Sequence, residues 1–227
     1  MKRMRHMRRT APELAGTRRE GRSARRRAAD RLLLAIVSTM AFGVARVTPA
    51  YAHMGTGLPG GFESGFRHPV SGRDHLLAMV LVGIWGAFLG RPLIYVLPVI
   101  FPVMMVGGAV LGMFSVPILP VELGVAMSVL VLGLCVGLAI EAPVWAAGTI
   151  VATFAVFHGY AHGVELPSAV DPVGYSVGFV LATGLLHVFG VGIGLLTERP
   201  KGILVTRGLG AAVALAGGWY LCLALGL

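Results

Sequence analysis

Apolar residues in this 227-residue chain fall in long runs, not at the three-and-four spacing that gives a surface helix one apolar stripe. Beyond residue 73 there are six such runs, at approximately 74–90, 93–114, 119–140, 143–165, 174–197 and 203–226. A hydrocarbon core of about 30 Å takes roughly 20 residues at 1.5 Å per residue, and most of the runs reach that length. The first is slightly short, so its polar end belongs at the interface. Helix-ending residues mark the joints: Arg91-Pro92, Pro117 and Pro120, Pro143, Asp171-Pro172 and Pro200. The pattern predicts an all-α fold, a polytopic membrane helical bundle of six transmembrane helices.

A shorter apolar run, Leu32 to Ala45, precedes these and has different flanks. Arg25, Arg26, Arg27 and Arg31 stand before it, and Thr48-Pro49-Ala50-Tyr51-Ala52 follows, with small residues at the −3 and −1 positions of an Ala-x-Ala site. At about 14 residues the run is short for a span. Residues 1–52 are therefore expected to be a cleavable signal peptide, cut after Ala52, with 53–227 as the six-span membrane domain. Residues 53–73 are rich in glycine (Gly55, Gly57, Gly60, Gly61, Gly65, Gly72) and read as a non-helical lead-in.

Charge sharpens this division. Only 13% of the residues are charged, against about a quarter in a soluble domain. Residues 1–52 hold 13 Lys/Arg and 3 Asp/Glu, whereas 53–227 hold 6 and 7. The basic character thus belongs to the leader, and nucleic acid is excluded as a partner. There is no phosphate-binding loop and hence no expectation of nucleotide hydrolysis. A cleaved signal puts the mature N-terminus on the periplasmic side of a bacterial inner membrane, and six spans return the C-terminus there. Arg91, Arg199, Lys201 and Arg207 then fall at inner joints, and Glu122, Glu165 and Asp171 at outer ones, in line with the positive-inside rule. Arg67 and Arg73 on the outer lead-in run against it, and the inner joint near Glu141 has no positive charge.

Glycines four apart (Gly86 and Gly90, Gly108 and Gly112, Gly133 and Gly137, Gly190 and Gly194) suit close helix packing in lipid. Cys135 and Cys222 sit in apolar runs, make no disulfide framework, and are expected to be buried without a metal role. Met104, Met105, Met113 and Met127 read as packing or lipid-facing residues rather than a soft-metal path.

The chemistry is concentrated in two segments. His68-Pro69-Val70-Ser71-Gly72-Arg73-Asp74-His75 stands at the start of the first span. Imidazole and carboxylate together suit nickel, cobalt, zinc or copper. Pro69 and Gly72 suggest a turn that folds His68 back toward Asp74 and His75. Asp74 and His75, about 100° apart on a helix, either both ligate or one orients the other. Phe157-His158-Gly159-Tyr160-Ala161-His162-Gly163-Val164-Glu165 ends the fourth span. His158, His162 and Glu165, at i, i+4 and i+7, share a helix face within about 60°. Gly159 and Gly163 leave the adjoining surface open to another helix or an ion path. The first span runs inward and the fourth outward, so both segments meet at the outer face. The pattern points to a divalent-metal site there. His187 lies deeper, roughly 20 Å into the fifth span at 1.5 Å per residue, where it is either a relay ligand or a packing histidine. His53 would follow the cut site, and its free amine and imidazole form a further candidate chelate.

Together these motifs resemble the HupE/UreJ family of membrane metal permeases. The resemblance rests on His68-x5-Asp74-His75, Ala78-Met79 and Gly83-x-Trp85 in the first span and on Phe157-His158-Gly159-x-Ala161-His162-Gly163-x-Glu165 in the fourth. A signal peptide followed by six spans also fits, so the similarity extends over the mature chain. It implies nickel or cobalt uptake, linked to hydrogenase and urease maturation. By resemblance the functional set is His68, Asp74, His75, His158, His162 and Glu165. The expected activity is a secondary permease or facilitator, not an enzyme, with no prosthetic group and Ni²⁺ or Co²⁺ as cargo. Its partners are the metal ion and the bilayer, with a homo-oligomer as a further candidate. The rival reading is a membrane-embedded zinc-dependent hydrolase, with an open metal position for water.

Overall fold

The computed structural model describes residues 61–165 and 171–227, all within one compact unit, Arg46–Leu227. The signal peptide, its cut site and His53 lie outside the described residues. Seven α-helices are formed among those described: α1 Gly61–Ser71, α2 Arg73–Leu89, α3 Leu93–Met113, α4 Val121–Gly137, α5 Val144–Glu165, α6 Pro172–Gly194 and α7 Pro200–Ala224. A short 3₁₀ turn, Leu195–Glu198, extends α6. No strand occurs among the described residues.

Each of the six apolar runs corresponds to one of the helices α2–α7. Four of them, α3, α5, α6 with its 3₁₀ turn, and α7, are long and apolar enough to cross a membrane. A fifth span results if α1 and α2, bent by 78° at their junction, are taken as one broken span. The apolar helix α4 has 17 residues, about 26 Å at 1.5 Å per residue, and falls short on length.

The lead-in departs from expectation. Residues 61–71 are helical despite Gly61 and Gly65, because α1 packs along the start of α6. A Cβ on Gly65 would overlap the Tyr175 carbonyl, and one on Gly178 would overlap that of Phe62. This close backbone approach outweighs the poor helix propensity of glycine. Pro69 lies inside α1 rather than in a turn, and the chain turns at Gly72 instead.

Helix α2 is the hub. From Leu77 to Gly86 every residue is buried, the mark of a helix enclosed on all sides. It runs beside α6, with Gly83 against the His187 carbonyl and Gly190 against that of Val80. Helices α3 and α5 interlock in the same way: Gly108 and Gly112 lie on Val156 and Tyr160, and Gly159 and Gly163 on Met105 and Ala109. Gly133 and Gly137 of α4 meet Ala214 and Ala211 of α7. Gly90 is the exception among the spaced glycines, since it caps α2 at φ 74° with nothing within 4 Å of its missing Cβ. The Trp85 indole donates 3.0 Å to the Ile140 carbonyl and ties α2 to the α4–α5 joint. Asp171 starts α6, accepting from the Gly174 amide at 2.9 Å ahead of Pro172, as an N-cap should. Cys135 is buried as expected, but Cys222 is exposed near the end of α7, where the last turns have fewer helices around them.

Candidate metal site

The break between α1 and α2 brings the first chemical segment together. His68 stands in the last turn of α1, and Asp74 and His75 in the first turn of α2. Asp74 does not reach out toward a shared point. Its Oδ1 accepts from the His75 amide at 2.9 Å and lies 2.9 Å from His75 Nδ1. Of the two roles open to the pair, this geometry is that of a carboxylate orienting an imidazole. With Nδ1–H donating to Asp74, the lone pair of His75 is on Nε2, which is buried and has no hydrogen-bond partner.

The second segment arrives on α5. Gly159 and Gly163 press against α3, so of the two alternatives for that open surface the helix takes it. His158 and His162 are thereby turned inward. His158 Nδ1 lies 3.0 Å from the Phe154 carbonyl one turn back. That carbonyl can only accept, so Nδ1 carries the proton and Nε2 the lone pair. This Nε2 is likewise buried without a hydrogen bond.

The four imidazoles form a connected group. Ring centres are 4.8 Å apart for His68 and His162, 4.8 Å for His75 and His162, and 4.7 Å for His75 and His158. His68 and His75 are 6.3 Å apart, so His68 meets the fifth helix more closely than its own neighbour in sequence. Burial deepens along the group: His68 is half-buried, whereas His162 is 6%, His75 1% and His158 0% exposed. Among the described residues, however, no three His, Cys, Asp or Glu side chains already stand close enough to hold one ion. Glu165 ends α5, and its side chain lies outside the described residues.

His187 is not in this group. It is buried on α6, and the ring of Phe101, from α3, stands between: 5.5 Å from His158 on one side and 5.2 Å from His187 on the other. Aromatic residues that the motifs did not mark complete the walls. Phe179 lies 4.4 Å from His162 and Tyr175 5.9 Å from His68. A signal for them was present, since Tyr175, Phe179, Thr183 and His187 recur every fourth residue along one side of α6.

The family model described as HupE / UreJ protein matches residues 32–220. The chain is also 42% identical over 183 residues to Protein HupE of Rhizobium leguminosarum bv. viciae, covering 80% of this chain and 94% of that protein. The chain belongs to the HupE/UreJ family. The match spans both histidine segments and all seven described helices except the last residues of α7. This HupE/UreJ member is accordingly a helical membrane protein. No solved structure matches it.

Proposed function

We propose that this protein is a secondary permease or facilitator that carries Ni²⁺ or Co²⁺ into the cell. The observation that carries the reading is the spacing of the four imidazoles. Two imidazoles bound at about 2.1 Å to one ion, with a ligand angle of roughly 90–110°, have ring centres roughly 4.5–5.2 Å apart. Three of the pairs fall in that interval. To close on one ion the rings must turn their nitrogen edges toward a common point, and His68 must move in from its 6.3 Å separation from His75. His68, His75, His158 and His162 are the ligands in this reading. Asp74 holds the His75 tautomer, the second-shell role that carboxylates take beside metal-bound histidine, and its charge offsets that of the cation. Glu165 is the further carboxylate, by family resemblance.

The half-buried His68 meets the ion first, and the buried imidazoles replace its water. A nitrogen-rich set suits nickel and cobalt, and the HupE/UreJ resemblance favours them over zinc and favours transport over hydrolysis. In this reading all six helices α2–α7 cross the inner membrane, with α1 as the bent extension of the first span. The signal peptide is cut after Ala52, and the histidine end faces the periplasm. Inward movement of a cation is driven by the membrane potential, about 2.3 kcal/mol per charge per 100 mV. His53 is a candidate ligand at the mature N-terminus.

The test is uptake into proteoliposomes of the purified protein under an imposed potential, with Ni²⁺, Co²⁺, Zn²⁺ and Mg²⁺ in competition. Accumulation of Ni²⁺ or Co²⁺ that Mg²⁺ does not inhibit is expected. Failure to move either ion overturns the proposal.

A further inference from the structure

Below the four-imidazole group the interior holds another set of polar atoms. Thr183 and His187 lie one turn apart on the buried side of α6, 0% and 1% exposed. No hydrogen bond of ordinary geometry reaches the Thr183 hydroxyl or the His187 ring nitrogens. Buried polar atoms are seldom left so. Opposite them is an interruption in α3. Pro102 has no N–H, so the Pro98 carbonyl lacks the helical donor it would otherwise have four residues on. It acts as a backbone acceptor toward the His187 imidazole, so one ring nitrogen carries the proton and the other the lone pair. Membrane proteins tolerate backbone carbonyls freed from helical bonding chiefly where these line a cavity or an ion site.

The imidazole lone pair and the Thr183 hydroxyl make a mixed nitrogen/oxygen donor pair of the kind borderline divalent metals accept, with the Pro98 carbonyl holding the imidazole tautomer. The pair is poorer in nitrogen and in charge than the histidine group above it, so it binds more weakly. Phe101 separates the two. Its ring lies 5.5 Å from that of His158 and 5.2 Å from that of His187 and is itself 0% exposed, so in the proposal below an ion handed from one histidine to the other displaces this ring. A strong site followed by a weaker one lets an ion be captured and still released.

We propose that His187 and Thr183, with the Pro98 carbonyl orienting the imidazole, form a second, inner station for the transported divalent metal, separated from the capture histidines by the Phe101 ring. The proposal rests on the transport reading above. The competing role for His187 is packing, an imidazole held against a neighbouring helix.

Co²⁺ is the probe. His187→Gln is expected to lower Co²⁺ uptake into proteoliposomes at least tenfold, while equilibrium dialysis of the purified full-length protein shows Co²⁺ binding at the capture histidines unchanged. Uptake at the wild-type rate overturns the inner station. So does a parallel loss of uptake and capture binding, which is what a structural histidine would give. Binding supplies a second measurement that does not depend on transport. Phe101→Ala, which removes the partition, is expected to bind one more Co²⁺ per chain than the Phe101→Ala, His187→Gln double variant. Equal stoichiometry in the two overturns the proposal. If the wild-type protein moves no Co²⁺ at all, the transport reading fails by itself, and the stoichiometry still decides whether His187 holds an ion.

Discussion

The Oδ1 of Asp74 lies 2.9 Å from Nδ1 of His75, its neighbour in sequence, and accepts from the His75 amide at the same distance. Adjacent residues on a helix point about 100° apart, so this pairing needs the first turn of α2, where the carboxylate can fold back onto the chain. One carboxylate thus sets both the tautomer and the direction of an imidazole whose other nitrogen faces the interior.

Asp74→Ala is therefore expected to lower metal accumulation by about 10- to 100-fold, the usual effect of losing an orienting partner. Asp74→Asn keeps an acceptor and should fall between Ala and wild type. Accumulation in metal-limited cells is the measurement, with the amount of protein in the membrane fraction as the control. Equal accumulation in all three would remove Asp74 from the site.

His162 touches both His68 and His75 at 4.8 Å, so it joins the two helices of the broken pair to α5. His162→Ala is expected to reduce Co²⁺ binding by at least tenfold and to abolish uptake, with membrane insertion retained. Binding of Co²⁺ at wild-type affinity would contradict the proposed ligand set.

The α3–α5 contact offers a packing test with its own control. A side chain at Gly159 or Gly163 would overlap a backbone carbonyl of α3, whereas Gly107 has nothing within 4 Å of its missing Cβ. Gly163→Val is expected to destabilise the protein by about 3 kcal/mol, the upper range for overpacking, and to displace His162. Gly107→Ala should change stability by no more than about 1 kcal/mol. Thermal unfolding in detergent, followed by size exclusion, distinguishes them; similar loss in both variants would mean that the helices do not meet as described.

Orientation can be read by cysteine labelling. The α3–α4 joint is at the histidine end of the bundle and the α4–α5 joint at the Arg91 end, with Leu119 and Glu141 exposed at the two joints. Cys222 is exposed and must be replaced by serine first, while Cys135 is buried. A membrane-impermeant maleimide is expected to label Leu119→Cys in spheroplasts and Glu141→Cys only after permeabilisation. The reverse pattern would place the histidine end in the cytoplasm.

Much of the candidate site was readable before the fold. His158 and His162 share a face because a helix repeats every 3.6 residues, and that face is found turned inward. The meeting of the two histidine segments at one end also followed from counting spans. The helix at 61–71 was not legible, because glycine's local preference points away from a helix and only the surface of α6 reverses it. The place of Phe101 was equally hidden, since an apolar residue in an apolar run has no signature of its own.

The chain by itself determined where its long helices are and which residues on each share a face, because apolar run length, proline, N-caps and helical periodicity are local properties. Only the tertiary structure decided that His68 sits closer to His162 than to His75, that Asp74 folds onto its neighbour, and that Phe101 stands between His158 and His187. Those relations depend on which helix backbones approach one another. That is settled by glycine surfaces far apart in sequence, such as Gly163 against Ala109 and Gly65 against Tyr175, whose fit appears only when the helices pack.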